Sequence, residues 1–237
     1  MKLILPFIFS IFFLMYIGGI KEHVLNREEV LVVKIKPTFN GHSFTKNTWL
    51  ITSQNDSIQI SKLRFYLTNF EFIDAQNNSI KIPESNYLID AFDQETLQFD
   101  LKTIKKTNFK HILYKIGVDE KLHDAGAQSG ALDPINGMYW AWQSGFINFK
   151  LEGKSPSCNT RKNKFTFHLG GYKMPYSTTR DVRLDLYNKE KYIIIKMDIS
   201  SFFNDLSLTD INQVMTPGEE AYQCSLQLPQ LFSITNE

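Results

Sequence analysis

The sequence predicts an all-β protein: an antiparallel β-sandwich of immunoglobulin-like, Greek-key type with one short helix near the C-terminus. Three observations lead there. Apolar residues recur with a period of two along several segments, the pattern of a half-buried strand. Those segments are rich in β-branched and aromatic residues, and turn-forming stretches such as AQNNS (75–79) and NKEK (188–191) separate them. No helical pattern is interleaved between the strands, which argues against parallel α/β folds. With 237 residues, 43% hydrophobic and 14% aromatic, the chain can bury one large core.

The first segment is read as a leader rather than as part of the fold. LILPFIFSIFFLMYIGG (3–19) has the length of a secretory apolar region and closes on small residues. A spanning helix needs roughly 20 apolar residues, and Pro6 and Gly18–Gly19 weaken that reading. The expectation is a signal peptide over 1–19 cleaved near Gly19, with a retained anchor as the alternative. The mature chain is then periplasmic or secreted, has no transmembrane helix, and folds over 30–235. No cysteine follows the apolar region to carry a lipid.

Strands are expected at VLVVKIK (30–36), ISKLRFYLTNFEFI (60–73), NYLIDAF (86–92), LQFDLKTI (97–104) and KHILYKIGV (110–118). MYWAWQSGFINFKLEG (138–153), KFTFHLG (164–170), DVRLDLY (181–187) and KYIIIKMDI (191–199) follow. The helix is TPGEEAYQCSLQLP (216–229): Thr216 as N-cap, Pro217 in the first turn, Glu219 three residues after the cap, Pro229 as stop. Ala221, Cys224, Ser225 and Leu228 fall on its packed face. Because disulfides persist outside the cytoplasm, Cys158 and Cys224 are expected to form one bridge, two separate buried thiols being the alternative.

Functional candidates cluster in two places. DEKLHDAGAQSGALDPING (119–137) is a long connection without periodicity, and such loops are commonly functional. It carries His123, Asp133, Asp119 and Glu120. After it, Met138, Trp140, Trp142 and Phe146 share one parity whereas Ile147, Phe149 and Leu151 share the other. A β-bulge at Ser144–Gly145 would cause that change. Trp140 and Trp142 would then project from one face, as core or as a stacking platform. His168 lies opposite Phe165, Phe167 and Leu169, just before a Gly-Gly turn. His111 is expected in solvent, His42 in a turn and His23 in the N-terminal tail.

Several chemistries are absent from the pattern. A net charge of +1 without a basic cluster gives no case for nucleic acid. HxH, HExxH, CxxC, GxSxG, Walker and dinucleotide motifs are missing, so any metal site must be assembled by the fold. Asp133, Asp119 and Glu120 have no recognisable nucleophile or base beside them, so an enzyme is not expected.

FNG (39–41), LRFYLTNFEF (63–72), YLIDA (87–91), IGVDE (116–120), GALDPINGMYWAWQSGFINFKLEG (130–153), FHLGGY (167–172) and VMTPGEEA (214–221) occur in this order. In these the chain resembles the MbnP-like domain family, named for a periplasmic copper-binding protein associated with methanobactin. The resemblance implies an exported β domain that binds copper without being an enzyme, working with a di-haem cytochrome or an outer-membrane metal-uptake receptor. In the best-known members the site joins two histidines to a tryptophan oxidised to kynurenine. His123, in KLHDAGA, matches one histidine; the region before YLIDA, where the other histidine and the tryptophan belong, reads AQNNSIKIPESNY and holds neither. A copper site here would therefore differ in composition: Cu(I) takes imidazole and thioether ligands, and His123, His168, Met174, Met215 and Met138 are available. The other readings are a module that binds a different small ligand through Trp140 or Trp142, and a surface-interaction protein.

Overall fold

A computed structural model describes residues 29–103, 108–142, 145–187 and 192–235. The expected leader and His23 lie outside the described residues. The elements are β1 (Glu29–Thr38), β2 (Trp49–Ile51), β3 (Ser57–Asp74), β4 (Ser79–Lys81), β5 (Asn86–Asp90), β6 (Gln98–Thr103), β7 (Phe109–Ile116) and α1 (Glu120–Asp124). Then come β8 (Tyr139–Trp140), β9 (Gly145–Lys154), β10 (Lys164–Gly170), β11 (Arg180–Asp185), β12 (Tyr192–Asp198), β13 (Gln213–Val214), α2 (Glu219–Ser225) and β14 (Phe232–Thr235). The all-β expectation holds, and the sequence-predicted strands from 30 to 199 are found with small shifts at their ends.

Two sheets face each other. The smaller has the order β14-β12-β1-β6; the larger runs β11-β7-β3-β9-β10-β13, with β2, β4 and β5 added on β3 and β8 on β9. Most neighbours are antiparallel, but β1 runs parallel to β12 and β10 parallel to β13. Between the sheets, Val33, Ile35, Ile195 and Met197 meet Phe65, Phe149, Phe165 and Phe167, all buried. Phe232 of β14 ties the layers together by edge contacts to Phe65 and Tyr114, at 5.6 and 5.9 Å between ring centroids.

The long strand β3 positions the site. Phe65 pairs with both Phe149 of β9 and Ile89 of β5, so those strands lie on opposite edges. Leu67 pairs with Ile116 of β7 and Tyr87 of β5. Hence β9 and β7 share one edge of β3, end to end, and meet beside Tyr66. The junction is closed by hydrogen bonds: the Gly117 amide donates to the Tyr66 carbonyl at 3.0 Å, and the Thr68 hydroxyl to the Gly117 carbonyl at 2.7 Å. The Val118 amide donates to Asn148 Oδ1 at 3.0 Å. Chain leaving β7 and chain entering β9 therefore emerge together. Side chains alternate across β3, so Phe65 faces the main core while Tyr66 joins a second cluster with Val118, Leu132, Met138, Trp140, Phe146 and Ile147.

Four expectations are corrected. The parity change at 144–145 is no bulge: β8 and β9 form a hairpin, with Tyr139 opposite Phe146 and Trp140 opposite Gly145. A chain reversal shifts the alternation as a bulge does, which is why the two looked alike. The helix begins at Glu219 after Gly218, not at a Thr216 cap, although Ala221, Cys224, Ser225 and Leu228 are buried as expected. The disulfide is absent: Cys158 and Cys224 are separate buried thiols. Cys158 sits in the connection before β10, while α2 starts beside Gly171 just past the other end, where a Cβ would lie 3.0 Å from Pro217. The strand between spans on the order of 20 Å. His111 is half-buried rather than solvated, its Nδ1 2.7 Å from Asp185.

Candidate functional site

The connection after β7 is better ordered than its sequence suggests. Asp119 caps α1 by accepting from the Glu120 amide at 2.7 Å, and Asn69 holds its other oxygen at 3.0 Å. That fixes a five-residue helix whose exposed residues are Glu120, Lys121 and Asp124, leaving His123 turned inward and 2% exposed. Further on, Asp133 caps the turn Pro134–Asn136 by accepting from the Ile135 amide at 2.9 Å. Two cations then pin the connection to the sheet. Arg64 donates to the Asn136 carbonyl at 2.8 Å, and Lys150, its cross-strand neighbour, to the Gly137 carbonyl at 2.7 Å.

His123 is the centre of the arrangement. Its Nδ1 accepts from the Phe146 amide at 3.3 Å, and its Nε2, though buried, has no hydrogen-bond partner. The ring stacks on Tyr172 at 4.3 Å and meets the edge of Phe146 at 5.2 Å. Tyr172 is held there by donating its hydroxyl to Asp124 at 2.7 Å. Burial pushes the His123 pKa down to about 4, against the nearby Asn148 side chain and the charges of Asp124 and Asp119, which raise it. At neutral pH the ring is uncharged. With Nδ1 accepting, its proton sits on Nε2.

Beside His123 lies a cavity of ≈ 340 Å³, walled by Trp140, Tyr172, Tyr176 and Met174, with Lys173 and the Pro217–Gly218 turn also lining it. Trp140 is set by Gly170: a Cβ on that glycine would come within 2.5 Å of the indole Cζ3 and 2.6 Å of the Phe146 carbonyl. Trp142 follows in the turn beyond β8, 64% exposed, its ring centroid 5.7 Å from that of Trp140. So the strand ends before Trp142, and the two indoles touch without sharing a strand face.

Of the residues expected from sequence, the fold brings His123, Trp140 and Met174 to this cavity. Met174 is 81% exposed. Met215 is exposed and outside the lining, two residues before Pro217. Met138 is buried in the second cluster. His168 is engaged elsewhere: its Nε2 lies 2.9 Å from Glu152 Oε1, a carboxylate also flanked by Lys62 at 3.5 Å and Lys150 at 3.8 Å. The hydrogen bond with His168, assisted by those cations, lowers the Glu152 pKa to about 2. Asp133 is a cap and Asp119 a helix cap, so both have structural roles. Sequence reasoning missed Tyr172, Lys173, Tyr176 and the Pro217–Gly218 turn; their signal was the turn chemistry of HLGGY and TPGEE. Among the described residues, no three histidine, cysteine, aspartate or glutamate side chains gather to hold a metal.

The family model for MbnP matches residues 28–216. The chain belongs to the MbnP family. A solved structure, MbnP from Methylosinus trichosporium, shares the fold at a TM-score of 0.62 and 14% identity, covering 81% of this chain and 83% of that one. Comparison with curated protein sequences gave no significant match. The MbnP match takes in α1, the hairpin and β10, whereas the Pro217–Gly218 wall of the cavity lies just beyond it. Among the described residues, no helix is long and apolar enough to cross a membrane.

Proposed function

We propose that this MbnP-family chain handles copper outside the cytoplasm, taking Cu(I) as cargo at His123 and Met174 and doing no catalysis. The observation that carries the reading is a buried imidazole nitrogen without a partner, in a cavity that a thioether also lines. An imidazole and a thioether form a soft donor pair suited to Cu(I), and no cluster of carboxylates among the described residues favours a harder ion. The aromatic walls shield His123 from water, while Met174 stands at the exposed side. The chain's partner would be a di-haem cytochrome or an outer-membrane metal-uptake receptor.

The donor set fits, at a cost. Ligation through Nε2 moves the ring proton to Nδ1, where it would face the Phe146 N–H, so that hydrogen bond must open. Its loss costs about 1 kcal/mol, small beside a metal–ligand pair. No tryptophan oxidation enters this reading, because the stretch before β5 contains no tryptophan.

Competition against a Cu(I) chelator tests the proposal. His123→Ala should weaken Cu(I) binding by at least about tenfold and Met174→Leu by less, while His168→Ala leaves it unchanged. Undiminished affinity in His123→Ala would overturn the site. Intact-mass analysis of protein from its native host should show unmodified tryptophans.

A further inference from the structure

We infer that the cavity of the metal-free protein binds small planar carboxylates, aromatic or heteroaromatic acids held by His123 Nε2–H, the Trp140 face and Lys173. This goes beyond the copper reading and does not rest on it.

The first support is the tautomer. Because Nδ1 accepts from the Phe146 amide, Nε2 is a donor, and it is buried without a hydrogen-bond partner. Native folds seldom leave such a group unsatisfied, and a ligand oxygen would satisfy it without disturbing the Phe146 bond. Size is the second. A cavity of ≈ 340 Å³ is roughly ten times the volume of one water and falls within the range of small-molecule sites, about 300–1,000 Å³. A bare ion would leave most of it empty.

Shape and charge narrow the class. Trp140 lines the cavity and is locked against Gly170, while Tyr172, stacked on His123, is held by its bond to Asp124. Rings prefer to stack on such surfaces. Lys173 is the one lysine or arginine among the lining residues, and its Nζ stands 5.4 Å from the Tyr172 ring centroid. An anionic group at the mouth would pair with it. A flat ring carrying one carboxylate brings an acceptor, a surface to stack on Trp140 and a negative charge together.

The test uses the full chain, stripped of metal by a chelator and titrated calorimetrically with benzoate and indole-3-carboxylate. The matching neutral amides, benzamide and indole-3-carboxamide, serve as controls. The acids should bind at least about tenfold tighter than the amides, and Lys173→Gln, on an exposed side chain, should abolish that difference. His123→Phe should weaken both series. The Phe146 amide resonance should keep its hydrogen-bonded shift during the titration, whereas Cu(I) should move it. Equal affinity of acids and amides, or no saturation at millimolar concentration, overturns the inference whatever the copper titration shows. Failure of copper binding alone leaves it standing, since no metal is present in these titrations.

Discussion

His123 is a base held where it cannot easily be charged. Its pKa falls from 6.5 to about 4 because burial penalises the imidazolium. Between those values the unfolded chain binds more protons than the folded one, so stability falls as pH drops from 6.5 towards 4. The full loss is roughly 3 kcal/mol, an order-of-magnitude figure for a nearly inaccessible ring. Urea titrations across this window should show the loss in wild type and much less of it in His123→Phe. Glu152 acts lower: held near 2 by His168, Lys62 and Lys150, its contribution is present above 4.5 and fades as pH falls from there to about 2. Glu152→Gln should therefore flatten the more acidic limb and leave the upper one intact. The two cysteines give a third check at this scale. Burial raises both thiols to about 11, so neither should alkylate at pH 8 in the folded protein, and both should alkylate in denaturant without reductant. Absence of label in denaturant would restore the disulfide.

Strand elements were legible in the sequence wherever burial is one-sided. On β12, Ile193, Ile195 and Met197 are buried and alternate with outward residues, and the period of two announced this directly. The short elements were not legible, for different reasons. β2 and β4 have three residues each, too few for a period, and exist because β3 offers them an edge. The β8–β9 hairpin was hidden because reversal and bulge shift parity alike. His123 was found, but its partners came from loops after β10 and before α2, distant in sequence and marked only by glycines. Glycines within the strands are structural requirements too. At Gly153, a Cβ would collide with the Gln59 carbonyl oxygen and the Phe165 ring, both fixed inside the β3–β9–β10 layer. Gly153→Ala should cost about 1–3 kcal/mol or more, seen as a lower midpoint in thermal unfolding. Gly170→Ala presses instead on Trp140, so it should weaken ligand binding as well as stability.

Across the whole molecule, the sandwich core and the site cluster lie on opposite faces of β3 and share its backbone. The main core holds the two sheets together, while the cluster around Tyr66 and Trp140 is small and covered by the 118–142 connection. That difference implies unequal local stability, with the connection opening before the sheets. A ligand bridging His123 on α1 and Met174 after β10 would reinforce two segments that meet through Tyr172 stacking and its bond to Asp124. Cu(I) at a hundredfold excess over its dissociation constant should stabilise the fold by about 2.7 kcal/mol. For a chain of this size that is a rise in melting temperature of roughly 5–10 °C. Hydrogen exchange should place the added protection in residues 118–142, with amides of β1 and β12 little changed while opening remains local. His123→Ala, losing about tenfold in affinity or more, should at least halve both effects at the same copper concentration. An undiminished melting rise in that variant would mean that copper binds the chain elsewhere.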